Sequence, residues 1–247
     1  MQRKILENFA RKKETLKTIS IVTIFAIAMA FLESVFVYYI RMIRYPKGFN
    51  FYSINSLSSE ILNIEMFREL STLIILFIVA ILVAKGFYKR FAYFLYAFAI
   101  WDIFYYVWLK VVIGWPNSLL NWDILFLIPW SWSSPVLAPI ICSLNMIILA
   151  FSILFISDKK YKFKIKIREW ILLFIGGFLQ LYTFLYDYGK IMIRGDYLNY
   201  FSSLMTNEKF ILEVTNYMPT HYNWTIFLIG EILILTAIAS WHFRYKK

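Results

Sequence analysis

The chain is short of the residues on which several kinds of chemistry depend. A single cysteine, Cys142, excludes an internal disulfide and any zinc or iron–sulfur centre built from cysteines. Two histidines, His221 and His242, fall at opposite ends of one apolar run, roughly 30 Å apart if that run is a straight helix, too far to share a metal or a haem. No Gly-rich nucleotide loop, His-Glu-x-x-His or Gly-x-Ser-x-Gly occurs. No spacing fixes a coordination geometry for a divalent ion among Glu33, Glu65, Glu69 and Asp102, so neither a metal site nor a cofactor is expected. The 8 glycines and 6 prolines do not gather into a linker, which makes residues 1–247 a single domain. Charge is also scarce: 17% of residues are charged against 61% hydrophobic, with a mean hydropathy of +0.63. A water-soluble core of this size does not need that balance.

What is present is a series of apolar runs long enough to cross a bilayer, for which about 20 helical residues suffice. The pattern predicts an all-α, polytopic membrane bundle of six transmembrane helices at about 19–43, 66–87, 91–113, 135–157, 169–192 and 223–243, preceded by a basic N-terminal segment, 1–17. Trp115-Pro116 closes the third helix, because proline cannot supply the next backbone hydrogen bond. The net charge of +11 does not point to nucleic acid, since the basic residues fall in short clusters between apolar runs and form no nucleic-acid-binding motif. It points to topology. Residues 1–17, Lys85 to Arg90, Lys159 to Arg168 and Arg244 to Lys247 carry most of the lysines and arginines, which predicts both termini in the cytoplasm of a multi-pass protein in the cytoplasmic (cell inner) membrane.

Measured along the helices at 1.5 Å per residue, Glu33, Asp102, Glu231 and Gln180 fall within roughly 5 Å of the midplane. Above them, toward the outer face, come Glu65, Arg68, Glu69, Asp187, Lys110 and Asp123, while the inner half carries almost nothing ionisable. Steps of three and four align Glu33 with Arg41 and Arg44, Glu65 with Arg68, Glu69 and Thr72, and Asp102 with Tyr105, Tyr106 and Lys110. They also align Gly176 and Gly177 with Gln180, Thr183 and Asp187, and bring Asn223 and Trp224 onto the side of Glu231. Intramembrane acids are costly and must be protonated, paired or wet. As packing devices, Glu33 would pair with Arg41 or Arg68 and Asp102 with Lys110. As a functional layer, the acids would line a cavity opening to the outer side.

The densest aromatic stretch runs from Trp101 to Trp132 and holds six of the 9 tryptophans. Trp101, Trp108, Trp115 and Trp122 recur at sevens, which on a helix places the first three along one side, and Trp115, Trp122, Trp130 and Trp132 suit an interfacial belt. Between Asn117 and Ser134 the apolar run is too short to cross and is closed by Pro129, which predicts an interfacial or re-entrant segment between helices three and four. Residues 48–64 and 195–220 read as surface segments lying on the bundle. Arg41, Arg44, Lys190 and Arg194 at the outer helix ends read first as snorkelling side chains and second as contacts for lipid phosphate or an anionic solute. Cys142, Ser143 and Asn145 read as small and polar packing.

Three functions fit. The leading expectation is proton- or cation-linked transport or solute binding in an outward-facing polar cavity, with Glu33, Asp102 and Glu231 titrating and membrane lipids, a proton, a cation or a small solute as partners. The alternatives are an intramembrane enzyme on a lipid or lipid-linked substrate, with Glu33, Glu65, Glu69, Asp102, Asp123 or His221 as acid and base, and a non-catalytic subunit bound to another membrane chain.

Overall fold

The computed structural model describes residues 2–44, 59–128, 130–159, 164–199, 207–215, 217 and 219–246. The elements are α1 (Gln2–Arg44), α2 (Ser59–Val83), α3 (Phe87–Ile113), β1 (Trp122–Ile124), β2 (Ser133–Pro135), α4 (Leu137–Lys159), α5 (Ile167–Arg194), α6 (Glu208–Thr215) and α7 (Trp224–Lys246). Six of the helices are long and apolar enough to cross a membrane. Their outward surfaces carry large apolar side chains, with Ile24 70%, Phe77 53%, Phe178 68% and Ile232 62% exposed. That much exposed apolar surface suits lipid and not water.

Helix limits differ from expectation for local reasons. α1 absorbs the basic N-terminal segment, because residues 2–44 contain neither glycine nor proline to interrupt it. α2 starts before residue 66 and stops at Val83, since Gly86 adopts φ 83° and turns the chain so that Phe87 opens α3. At the other end of α3, Gly114 in the left-handed region sends its N–H to the carbonyl of Lys110. Asn223 caps α7, its Oδ1 accepting the N–H of Ile226 at 3.2 Å.

α3 is the central helix, packed against α1, α2 and α4, while α5 and α7 form a second closely packed pair joined to the rest through α4. The contacts Thr23–Tyr96 and Trp108–Ile27 run α1 alongside α3, and Glu169–Arg244 with Thr183–Tyr222 run α5 against α7. Both termini therefore lie at one end of the bundle, the terminal end; the hairpin β1–β2 and α6 lie at the far end. Of the two surface segments expected, the first, 48–64, lies outside the described residues as far as 58 and from 59 onward forms the start of α2. In the second, Tyr197 and Phe210 meet edge to face at 5.1 Å and cover Tyr188, Ile191 and Met192 at the end of α5.

The aromatic stretch is folded into the protein instead of lying along its surface. Trp122 pairs with Pro135, Asp123 with Ser134 and Ile124 with Ser133 in an antiparallel hairpin. Leu125 N–H to Trp132 O (2.9 Å) and Trp132 N–H to Phe126 O (2.7 Å) extend it inward, and Val136 N–H to Asn121 O (2.9 Å) closes its base. A run too short for a spanning helix thus satisfies its backbone by pairing with itself. The tryptophans of this stretch are tied into the protein as well. Trp101 is 6% exposed, and Trp108, Trp130 and Trp132 send their indole N–H groups to the carbonyls of Ile27, Leu185 and Ile128 at 3.1, 3.3 and 2.7 Å. Trp132 stacks on Phe184, and Trp122 meets Tyr222 edge on. These three half-buried indoles each find an acceptor, whereas the Nε1 of the buried Trp101 has none among the described residues.

The glycines set the approach of α5 to α7. A Cβ on Gly176 would lie 2.7 Å from the carbonyl oxygen of Gly230, and one on Gly230 would lie 2.7 Å from that of Gly176. Neither backbone can move without parting the helices. Gly177, one residue away, has nothing within 4 Å of such a Cβ. Gly176→Ala is therefore expected to destabilise by about 1–3 kcal/mol, while Gly177→Ala is expected to be neutral or slightly stabilising, by up to about 1 kcal/mol; paired melting curves in detergent distinguish the two.

Candidate functional site

The same glycine contact places Gln180, one turn beyond Gly176, against Glu231, next to Gly230. Gln180 Nε2 donates to Glu231 Oε2 at 3.0 Å, and its Oε1 lies 3.5 Å from the Cys142 thiol, so both ends of the amide are used and its orientation is set. Asn145 Nδ2 donates to the same Glu231 oxygen. On the next face of α4, Ser143 Oγ donates to Asp102 Oδ2 at 2.8 Å. Cys142, Ser143 and Asn145 are thus a polar turn in an apolar helix that holds a carboxyl on each side, Asp102 of α3 and Glu231 of α7. Ser143 is fully buried and Asn145 is 6% exposed. Every donor reaching Asp102 and Glu231 is neutral, and among the described residues neither acid has a lysine or arginine within ion-pair distance.

Two polar columns run from this centre toward the far end. On α3, Tyr106 follows Asp102 by one turn and donates its hydroxyl to Asp123 Oδ2 at 3.2 Å, with Asp123 held at 3% exposure in β1. On α5, Thr183 bonds the Gln180 carbonyl and shares a 2.7 Å hydrogen bond with Tyr222, and Asp187 accepts the hydroxyl of Tyr217 at 2.6 Å. Burial, and then the bond to Asp187, holds the Tyr217 hydroxyl above its ordinary titration range; burial raises that of Tyr222. Both remain donors across the physiological range, since an ordinary tyrosine already titrates near pH 10. Tyr217→Phe would leave the Asp187 carboxyl without that donor and is expected to cost about 1–3 kcal/mol, read as a lowered melting temperature.

Glu33 belongs to a different cluster. Arg68 forms an ion pair with Glu33 across α1 and α2 and a second, at 2.6 Å, with Glu65. All three side chains are less than one fifth exposed. Glu69 is 7% exposed and accepts the N–H of Leu127 at 2.9 Å, pinning the hairpin segment to α2. Arg68 occupies the position where a cation held by Glu33 and Glu65 would sit.

Of the residues read from sequence, the structure brings Asp102, Gln180 and Glu231 to one place, with Tyr106, Asp123 and Asp187 along the columns. It separates the others. Glu33, Glu65, Arg68 and Glu69 form the ion-paired cluster. Lys110 does not pair with Asp102: its Nζ caps the carbonyls of Gly114 and Pro116, both at 2.9 Å, because it lies two turns further along and at the helix end. Tyr105 sits edge on to Tyr106 at 5.0 Å. Asn223 caps α7 and Trp224 packs on Tyr222 at 4.8 Å, about two turns from Glu231 toward the far end. His221 is exposed, with no side-chain hydrogen bond among the described residues. Arg41 and Arg44 lie on α1, but their side chains lie outside the described ones.

Sequence reasoning passed over Ser143 and Asn145, the donors to both acids. The available signal was their position, in the half of α4 that runs antiparallel to the Asp102 half of α3. It also left the inner half nearly without ionisable groups, where the structure has a buried pair: Glu169, 3% exposed, takes Arg244 Nη2 on both oxygens at 2.6 Å, Ser240 Oγ at 2.9 Å and the N–H of Lys166 at 2.6 Å. Glu169 lies in the first turn of α5, so a carboxylate there also meets the positive end of the helix dipole. Compared with protein-family models, with curated proteins and with solved structures, the chain matches none significantly.

Proposed function

We propose that this multi-pass membrane protein is a proton- or cation-linked transporter or solute-binding protein, in which Asp102 and Glu231 exchange protons with the compartment at the far end of the bundle, read from the charge distribution as the outer one. The observation that carries this reading is the pair of half-buried carboxyls that, among the described residues, are held by neutral donors from α4 and α5. A purely structural acid in a bundle is ordinarily neutralised by a basic partner, as Glu33 and Glu169 are here. Ser, Asn and Gln donors stabilise a carboxylate without locking it, and a hydroxyl can reverse its role when the acid gains a proton. The columns through Tyr106–Asp123 and Thr183–Tyr222 supply hydrogen-bonding groups between the two acids and the far end.

The enzymatic reading draws less support, because its acid–base candidates are held apart: Glu65 by Arg68, Glu69 by the Leu127 N–H, His221 on the surface. A subunit role would favour polar patches on the lipid-facing side, where the spans present large apolar side chains.

The test is an acid pulse applied outside vesicles carrying the purified protein and an internal pH dye, with inorganic cations and small solutes supplied in turn. The expected result is solute-dependent acidification that falls to the level of protein-free vesicles in Asp102→Asn/Glu231→Gln. Unchanged acidification in that variant would remove these two acids from the mechanism.

A further inference from the structure

At the terminal end of the bundle, far from the acids, lies a pocket of about 270 Å³ between residues 11–15 of α1 and the α2–α3 turn. We propose that it binds a phosphate group, supplied by the headgroup of an anionic phospholipid or by free phosphate. Three cations line it, Arg11, Lys85 and Lys89, against one acid, Glu14. Arg11 and Lys89 are half-buried at its wall. Thr15 and Tyr93, 7% and 4% exposed, bring two hydroxyls to the same wall. Lys85 and Lys89 flank Gly86, where the chain turns from α2 into α3, so the two lysines reach the pocket from either side of that turn. Oxygen-rich anions suit that combination of cations and hydroxyls.

The depth favours the lipid source. The pocket sits where the spans of α2 and α3 end, at Val83 and Phe87, and two turns or less from the start of the α1 span at Phe9. This is the headgroup level, and basic pockets between transmembrane helices hold anionic headgroups in the same way. The site is independent of the acid layer.

The test uses the full-length protein in nanodiscs of phosphatidylcholine containing a minor fraction of phosphatidylglycerol, extracted gently and weighed by native mass spectrometry. In a second arm, the protein in neutral detergent is titrated with inorganic phosphate and its melting followed. The wild type is expected to retain phosphatidylglycerol over phosphatidylcholine, and Arg11→Gln/Lys89→Gln to lose that preference by roughly tenfold or more. Lys12→Gln/Lys13→Gln removes the same charge from exposed positions on the same helix outside the pocket and is expected to leave the preference intact. Stabilisation by inorganic phosphate, abolished by the same double variant, would assign the site to the free anion. If the double variant does not fold, the exposed Lys85→Gln replaces it, with a smaller loss in the same direction expected. Equal lipid retention and equal phosphate response in wild type and pocket variant, or an equal loss in Lys12→Gln/Lys13→Gln, would overturn the proposal.

Discussion

Arg68→Leu is expected to destabilise the protein by about 3–5 kcal/mol, the cost of breaking a buried ion pair from one side. It would strand Glu33 on α1 and Glu65 on α2, each now charged without a partner in a region from which water is largely excluded, and the bundle has no other cation described within reach of them. Accumulation in the membrane should fall and the melting temperature in detergent should drop. Removing the charges together is a different matter. Arg68→Leu/Glu33→Leu/Glu65→Leu eliminates the stranded carboxylates and, by the same reasoning, should recover most of the lost stability, since apolar replacement of a complete buried ion cluster is often neutral. A triple variant no more stable than Arg68→Leu would show that the cluster is held by its geometry and not by its charge balance.

The second large effect is on activity with the fold preserved. Asp102→Asn/Glu231→Gln should abolish proton exchange while changing stability by no more than about 1 kcal/mol. The amide oxygen of Asn at position 102 can still accept from Ser143, and that of Gln at position 231 can still accept from Asn145 and Gln180, so the hydrogen bonds that hold α3, α4 and α7 together remain. What disappears is only the capacity to gain or lose a proton. Ser143→Ala and Asn145→Leu make the complementary test, removing the donors while leaving the acids. They should lower stability more than the double acid variant does, by about 1–3 kcal/mol each, because Asp102 then loses its Ser143 donor and Glu231 one of its two amide donors.

Much of the architecture was legible before any coordinates. Apolar run length specified six spanning helices, because a bilayer imposes a length that composition reveals directly. Depth arithmetic found Asp102, Gln180 and Glu231 at one level, since a straight helix converts residue number into height. It could not say which helices are neighbours, and that is where Glu33 went astray: it has the right height, but α1 presents it to α2, where Arg68 waits. Periodicity grouped Lys110 with Asp102 correctly as a face of α3, yet the lysine lies close enough to the helix end to be drawn to the free carbonyls of Gly114 and Pro116. The hairpin escaped notice because three-residue strands carry no alternation to detect. Ser143 and Asn145 were missed because a small polar residue in a membrane helix is most often packing; only the partner across the interface distinguishes a donor to an acid.

The central claim is that Asp102 and Glu231 change protonation while the ion-paired acids do not. Infrared difference spectra of the protein in lipid vesicles, taken as external pH is stepped through the physiological range, read carboxyl protonation directly and need no knowledge of the solute. The account predicts protonated-carboxyl bands that respond to pH, are altered in Asp102→Asn and in Glu231→Gln separately, vanish in the double variant, and persist in Glu33→Gln. Bands that survive in the double variant, or a spectrum with no pH-dependent carboxyl signal, would contradict it.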